Sequence, residues 1–380
     1  MNILIIGGAG FIGQHLARAL VHKGIVIRVL DNFSPQVHQV DTLPDDLSEN
    51  VELIRGDVRD RDVLKRALMG IDQVIHLAAE TGTGQSMYEI ERYFSVNVQG
   101  TATLIDLLQN DSCGRLVSSI IVASSRAVCG EGAYCCSDHG VVYPEARCRD
   151  RMSEGLFEPV CPACNGQLRL TATPETAPYK PMSVYGLTKQ VQEQAILMFA
   201  RARSIKGLGL RYQNVFGPGQ ALKNPYTGIL AIFSNLARQG NAINVYEDGK
   251  ETRDFVYIDD VVAATLRCVD LSDNFVGAIN VGSGRATSVL TVAQEITAYF
   301  NSESSITVSG EFREGDIRHN IADLGMATRI LGYSPQVNFK DGVRSFLQWA
   351  AEQPIEDTAA YRRSVRELET RGLMGISTNA

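Results

Sequence analysis

The sequence predicts an α/β protein, a doubly wound parallel sheet carrying a smaller α+β lobe. Three observations predict it. Short apolar runs alternate with stretches of helical period through the first 213 residues, and a glycine loop, Gly7-Gly8-Ala9-Gly10-Phe11-Ile12-Gly13, follows the first apolar run directly. Past residue 213 the alternation gives way to Pro218, Gly219, Pro225 and short mixed segments. Strands covered on both faces read as continuous apolar runs, which is what a buried parallel sheet requires.

Taken in order, residues 3–6 form the first strand and Phe11–His22 the helix after the glycine loop. Residues 26–30, Val51–Arg55, 73–77 and 120–123 are further strands, and 88–109 between the last two has helical spacing. Val184–Arg203 is a helix, followed by a strand at 207–211. Residues 255–258 and 278–281 are strand-like enough to return to the sheet. The division is therefore 1–213 for the sheet domain, with an insert at 131–174, and 214–350 for the lobe. From residue 355 the chain is polar and rich in arginine and reads as a poorly ordered tail. There is no internal repeat.

At 380 residues, 44% hydrophobic and 21% charged, the chain has ample length for a buried core. A balance of 36 basic and 43 acidic residues, net −7, argues against a nucleic-acid footprint. No apolar run reaches membrane-spanning length. The start, Met-Asn-Ile-Leu-Ile-Ile-Gly-Gly, is a strand entering a turn without a basic region or cleavage site, and reads as cytoplasmic.

The spacing Gly7-x-x-Gly10-x-x-Gly13 after a strand and before a helix has a physical reason. The first glycine permits a tight turn, the second a close approach to a pyrophosphate, and the third close helix–strand packing. Free N–H groups at the helix start face the phosphates. Asp31 lies 18 residues beyond Gly13, where a carboxylate accepts from both adenosine ribose hydroxyls and repels a 2′-phosphate. The predicted cofactor is NAD rather than NADP. Asp57 and Val58 after the third strand would bracket the adenine, and His76-Leu-Ala-Ala79 would lie along the cofactor.

Tyr185 and Lys189 share a helix face, and Ser125 ends the strand at 120–123. A tyrosine with its ordinary pKa is a weak base at neutral pH, but a nearby ammonium and a cationic nicotinamide favour its phenolate. Ser125 would fix the substrate oxygen, and Lys189 the nicotinamide ribose.

With these motifs in hand, residues 1–350 resemble the extended short-chain dehydrogenase/reductases of Rossmann fold, within them the nucleotide-sugar epimerase/dehydratase group. The resemblance implies an NAD site at Gly7, Gly10, Phe11, Ile12, Gly13, Asp31, Asn32, Asp57, Val58, Leu77, Ala78, Ala79, Asn97, Tyr185, Lys189 and Tyr212. It implies catalysis by Ser125, Tyr185 and Lys189, and a nucleotide-sugar site at Ser125, Arg126, Asn214, Arg253 and Arg313. The two last arginines match the group's diphosphate ligands, where a guanidinium fork suits phosphate oxygens. It further implies a homodimer packed through the Tyr185–Lys189 helix and the helix before Ser125, with Val191, Ala195, Ile196 and Phe199 at hand.

Dehydratases of this group carry an Asp-Glu pair directly after the serine; here those positions are Arg126 and Ala127. Elimination lacks its acid and base, which leaves 4-epimerisation through a transient 4-keto sugar or simple 4-oxidoreduction. Tyr185 stands 60 residues after Ser125, and the extra length holds Cys136-Ser-Asp-His139 and Cys161-Pro-Ala-Cys164-Asn-Gly. The latter has the form of a zinc knuckle. Cys136, His139, Cys161 and Cys164 either hold one structural zinc or belong to a loop of free thiols, with Cys135 and Cys148 as spare ligands. An insert of this kind resembles a subgroup whose substrate is dTDP-L-rhamnose, and its place in the chain suggests a roof over the sugar. A UDP-hexose 4-epimerase, a 4-ketoreductase and a non-catalytic NAD sensor are the alternatives.

Overall fold

Side chains of one strand alternate between two hydrophobic cores. Ile3 and Ile5 enter one core while Leu4 and Ile6 enter the other, and Ile121 and Ala123 oppose Ile120 and Val122 in the same way. A strand wholly apolar on both sides has no solvent face, so it sits inside a sheet covered twice. The computed structural model describes residues 1–226 and 228–378.

The sheet domain contributes β1 (Asn2–Ile6), β2 (Val26–Asp31), β3 (Val51–Arg55), β4 (Gln73–His76) and β5 (Ser119–Ser125). The insert adds β6 (Tyr134–Cys136), β7 (Gly140–Val142) and β8 (Leu168–Leu170). Next come β9 (Lys206–Tyr212), β10 (Asn214–Phe216), β11 (Ile243–Val245), β12 (Thr252–Tyr257), β13 (Val276–Val281), β14 (Ala286–Ser288), β15 (Ile306–Val308), β16 (Glu311–Arg313) and β17 (Met374–Ile376). Seven strands make the central sheet in the order β13-β9-β5-β4-β1-β2-β3, and every pairing is parallel. The order reverses between β1 and β4, which opens a crevice at the carboxyl ends of the strands. No helix among the described residues is long and apolar enough to cross a membrane.

Three expectations are corrected. Residues 276–281 do join the sheet as β13, but 252–257 do not. The edge of β9 is taken by β13, so β12 pairs instead with β10 and β14 in a separate three-stranded sheet. The stretch expected as one helix at 88–109 is a short helix Ile90–Tyr93, a π-helical turn Phe94–Gln99 and a helix Gly100–Asn110. The residues beyond 355 are not a loose tail. They form a helix Ala359–Thr370 and then β17, which pairs antiparallel with β16. Leu368 and Ser364 give that helix a buried face, which the polar composition concealed.

The lobe shares its core with the sheet. Phe216, Phe233, Ile243, Phe255, Val292 and Phe346 belong to the same cluster as Ile3 and Ile121. The insert is a three-stranded antiparallel sheet, β7-β6-β8, tied to the lobe by buried charge. Arg147 bridges Glu131 at 3.1 Å and Glu247 at 2.7 Å, and Arg318 pairs with Glu247 at 2.8 Å and Glu158 at 2.7 Å. Insert and lobe thereby neutralise each other's charges away from water.

Candidate active site

The glycine loop turns as its spacing requires. Gly7 has φ +82°, and a Cβ there would lie 2.6 Å from the Ala78 nitrogen; one on Gly13 would lie 2.6 Å from the Gly8 Cα. Any side chain would push the helix Phe11–His22 and the loop after β4 off the strand. Asp31, at the end of β2, accepts from the Ala9 N–H at 3.0 Å and the Phe33 N–H at 2.9 Å. Its carboxylate is thus fixed beside the loop.

A cavity of about 130 Å³ brings together Gly7, Gly10, Asp31, Asn32, Asp57, Val58, Leu77, Ala78 and Ala79 from the carboxyl ends of four strands. Phe11 and Gly10 line an adjoining cavity of about 400 Å³. Asn97 is fully buried on the π-helical turn. Its Oδ1 accepts from the Glu80 N–H at 2.7 Å and its amide donates to Thr188 Oγ1 at 2.9 Å, which pins the loop after β4. Ile12 packs against the core. Tyr212 departs from expectation: its ring is in the core and its hydroxyl meets Thr265 Oγ1 at 2.9 Å, so its side chain takes no part in the cavity. No motif pointed to His38, whose Nε2 lies 3.4 Å from Asp31, or to Arg59. Arg59 and Asn32 hydrogen-bond Asp57 and hold its carboxyl down at about 2 despite its partial burial. The glycine cradle and a carboxylate at the cavity wall fit a dinucleotide whose ribose carries free hydroxyls.

The catalytic trio converges where β5 ends. Ser183 caps the helix Val184–Arg203, its Oγ accepting from the Gly186 N–H at 3.1 Å, and this sets Tyr185 in the first turn. The Tyr185 hydroxyl lies beside Ser125. Ser125 Oγ accepts from the Ala127 N–H at 3.2 Å. Lys189 is buried and donates to the Ala123 carbonyl at 2.7 Å and Gln192 Oε1 at 2.9 Å. Burial pulls its pKa down to about 7.

Burial raises the Tyr185 pKa, and Ser125 and the Arg126 guanidinium work against it. Arg126 itself is held down to about 10, by burial first and by the neighbouring Arg253 second. It makes no ion pair among the described residues and faces the next cavity.

That cavity, about 200 Å³, is walled by Arg126, Asn214, Arg253, Arg313 and Asp316, all but Asp316 of them expected at a nucleotide sugar. Arg253 Nη2 pairs with Asp316 at 3.1 Å. Arg313 stacks 4.6 Å over the Tyr246 ring and donates to its hydroxyl at 3.1 Å, while its Nε is buried without a partner. No residue of the insert lines this cavity, so the insert is not its roof. Residues of the C-terminal helix, Tyr361, Ser364 and Leu368, line it instead.

The insert collects its cysteines at one point. Cys136, His139, Cys161 and Cys164 each present one ligand atom, all within 4.8 Å of one another. Cys135 and Cys148 stay outside the group.

A Rossmann sheet with this serine–tyrosine–lysine cleft defines the class, and comparison with known proteins agrees. The chain belongs to the NAD dependent epimerase/dehydratase family, which it matches over residues 3–143 and 160–282. It is 39% identical over 354 residues to dTDP-L-rhamnose 4-epimerase of Burkholderia thailandensis, covering 93% of this chain and 95% of that one. Among solved structures it resembles UDP-glucose 4-epimerase of Thermotoga maritima with UDP-glucose (TM-score 0.72, 28% identity, 93% and 99% of the two chains). It also resembles MoeE5 in complex with UDP-glucuronic acid and NAD (TM-score 0.73, 26% identity, 92% and 99%).

Proposed function

We propose that the protein is an NAD-dependent nucleotide-sugar 4-epimerase that interconverts dTDP-L-rhamnose and dTDP-6-deoxy-L-talose. The observation that carries the reaction is Tyr185 beside Ser125 at the end of β5, next to Arg126, which opens onto a cavity with two further arginines. The substrate is argued from the 39% identity to a dTDP-L-rhamnose 4-epimerase. Arg253 and Arg313 would take the diphosphate, the latter through its unpartnered Nε. Ser125 would hold the sugar O4, and Tyr185 would remove its proton and later return it. NAD, held by the glycine loop and Asp31, would supply reversible hydride chemistry at C4. Burial among Ala123, Ser125 and Lys189 keeps water from the reacting carbon.

Incubation with dTDP-L-rhamnose and NAD, read by NMR at C4, tests the proposal. Inversion without net NADH is the expected result. No inversion, together with conversion of UDP-glucose or UDP-N-acetylglucosamine, would overturn the substrate in favour of a UDP-hexose. Stoichiometric consumption of NADPH would make the protein a ketoreductase.

We also infer a structural zinc in the insert. With Zn–S near 2.3 Å and Zn–N near 2.05 Å, a tetrahedral site has S···S edges of about 3.8 Å and S···N edges of about 3.6 Å. Here Cys136 Sγ lies 3.8 Å from Cys164 Sγ and 3.5 Å from His139 Nδ1, and Cys161 Sγ lies 3.7 Å from that nitrogen. The second knuckle closes by the Asn165 N–H on the Cys161 carbonyl at 2.8 Å, with Asn165 at φ +56°. All four positions are filled by protein, so the ion would organise the fold rather than bind water. Protein purified without chelator should carry one equivalent of zinc, and Cys161→Ser should lose it with a lower Tm. Zinc below a tenth of an equivalent would sink the idea.

A homodimer is proposed through the helices Gly100–Asn110 and Val184–Arg203. Val191, Ala195 and Phe199 line an open apolar groove between them, and Met198 is 67% exposed. Ile196 is not part of that face, because it is wholly buried in the core.

A further inference from the structure

The segment beyond residue 355, outside the stretch that matches the family, is built into the substrate cavity from two sides. First, β17 is the only strand partner of β16 among the described residues, and Arg313 sits opposite Met374. The Glu314 N–H donates to the Leu373 carbonyl at 3.0 Å. Gly375 lies flat on the Phe312 ring, where a Cβ would come within 2.3 Å. From the insert, Arg149 clamps this strand through the Gly372 and Met374 carbonyls at 2.9 and 2.8 Å. Second, Tyr361 lines the same cavity as Tyr246 and Arg313, whose guanidinium is stacked on the Tyr246 ring. Farther along the same helix, Leu368 touches Gly84, and Arg371 stacks 4.5 Å over Tyr88. The helix therefore spans the cleft from the lobe to the sheet domain.

We propose that residues 359–378 are a working wall of the nucleoside-diphosphate site, with Tyr361 a positioning residue that fixes Tyr246 and Arg313 for the diphosphate. This rests on the nucleotide-sugar reading above. An isolated arginine loses much of its binding energy to the ordering of its side chain, and a guanidinium stacked and strand-anchored beforehand loses less. Tyr361 supplies a wall beside that stack; β17 supplies the strand. The ligand class is a pyrimidine nucleoside diphosphate, and the affected quantity is its affinity, not the proton transfer at Tyr185.

The test uses the NAD-loaded full chain, with dTDP as the calorimetric probe and the sugar nucleotide for kinetics. Tyr361→Ala should weaken dTDP roughly tenfold and raise KM in step, while kcat stays within about twofold and NAD content is unchanged. Tyr361→Phe keeps the ring and should restore most of the affinity. Gly375→Ala, which drives β17 off Phe312 without touching the cavity, should weaken dTDP as well. Undiminished dTDP binding by Tyr361→Ala and Gly375→Ala would overturn this proposal alone. Wild-type protein that binds neither dTDP nor UDP would overturn the substrate reading together with it.

Discussion

Tyr185→Phe should lower turnover by about three orders of magnitude with NAD still bound, the range lost when a positioned acid–base group is removed. In the proposed reaction the phenol takes and returns the O4 proton, and phenylalanine keeps the ring against Tyr93 while deleting the oxygen. NAD content and Tm are the controls. Turnover within tenfold of wild type would remove Tyr185 from the proton path. A companion variant separates the charge that tunes it. Burial pushes the Tyr185 pKa up and Arg126 pulls it down, so activity rises with pH as the phenol ionises. Arg126→Gln removes a positive charge that favours phenolate. The acid limb of kcat should then move to higher pH, by about one unit. A limb that stays in place would assign the tuning elsewhere.

The second large effect is on stability. Glu193 and Arg211 form an ion pair with side chains 0% and 2% exposed, at 2.8 Å. Glu193 also accepts from the Tyr179 hydroxyl at 2.7 Å and from Ser124, the residue before the catalytic serine. Glu193→Leu leaves a guanidinium buried without its counterion, and should reduce unfolding free energy by about 3–5 kcal/mol. That is a large share of the 5–15 kcal/mol typical of a folded protein (about 10 at mid-range). Adding Arg211→Met should recover most of the loss, because an apolar pair needs no compensation. Equal Tm values for wild type and Glu193→Leu would show that the pair contributes little. The single variant should also lose activity, since Ser124 and the helix of Tyr185 are both held by that carboxylate.

How far the sequence carried the reading depends on the range of the forces involved. The middles of β1, β4 and β5 were legible because positions buried on both faces of the sheet are apolar, Ile3 to Ile6, Val74, Ile75 and Ile120 to Val122 among them. The glycine loop, Asp31 and the Tyr185–Lys189 spacing were legible because local geometry fixes them. The Cys136–Cys164 cluster was legible as residue types, though only the fold of β6, β7 and β8 brings the four ligand atoms within 4.8 Å of one another. Long-range partners were not. That Arg126 comes beside Tyr185 and that Lys189 reaches the Ala123 carbonyl are set by the fold, and no spacing encodes either. Tyr212 carried the expected motif, but its side chain turned into the core. The C-terminal helix was missed because polar composition describes its outer face, whereas Ser364 and Leu368 decide where it docks.

The insert leaves and rejoins the fold at one point: the Ala133 N–H donates to Thr173 Oγ1 at 2.9 Å, and the Thr171 N–H to the Ala133 carbonyl at 3.2 Å. For chain entropy it is a closed side branch, and doubling the length of such a loop costs only about 0.6 kcal/mol. Ser125 and Tyr185 can therefore stay in register across a gap of almost any size. What restricts a graft or deletion at this point is charge rather than length. Arg318, wholly buried in the lobe, takes part of its neutralisation from Glu158 of the insert. A chimera that trims the branch must retire that arginine too, so the two positions should be exchanged together or not at all.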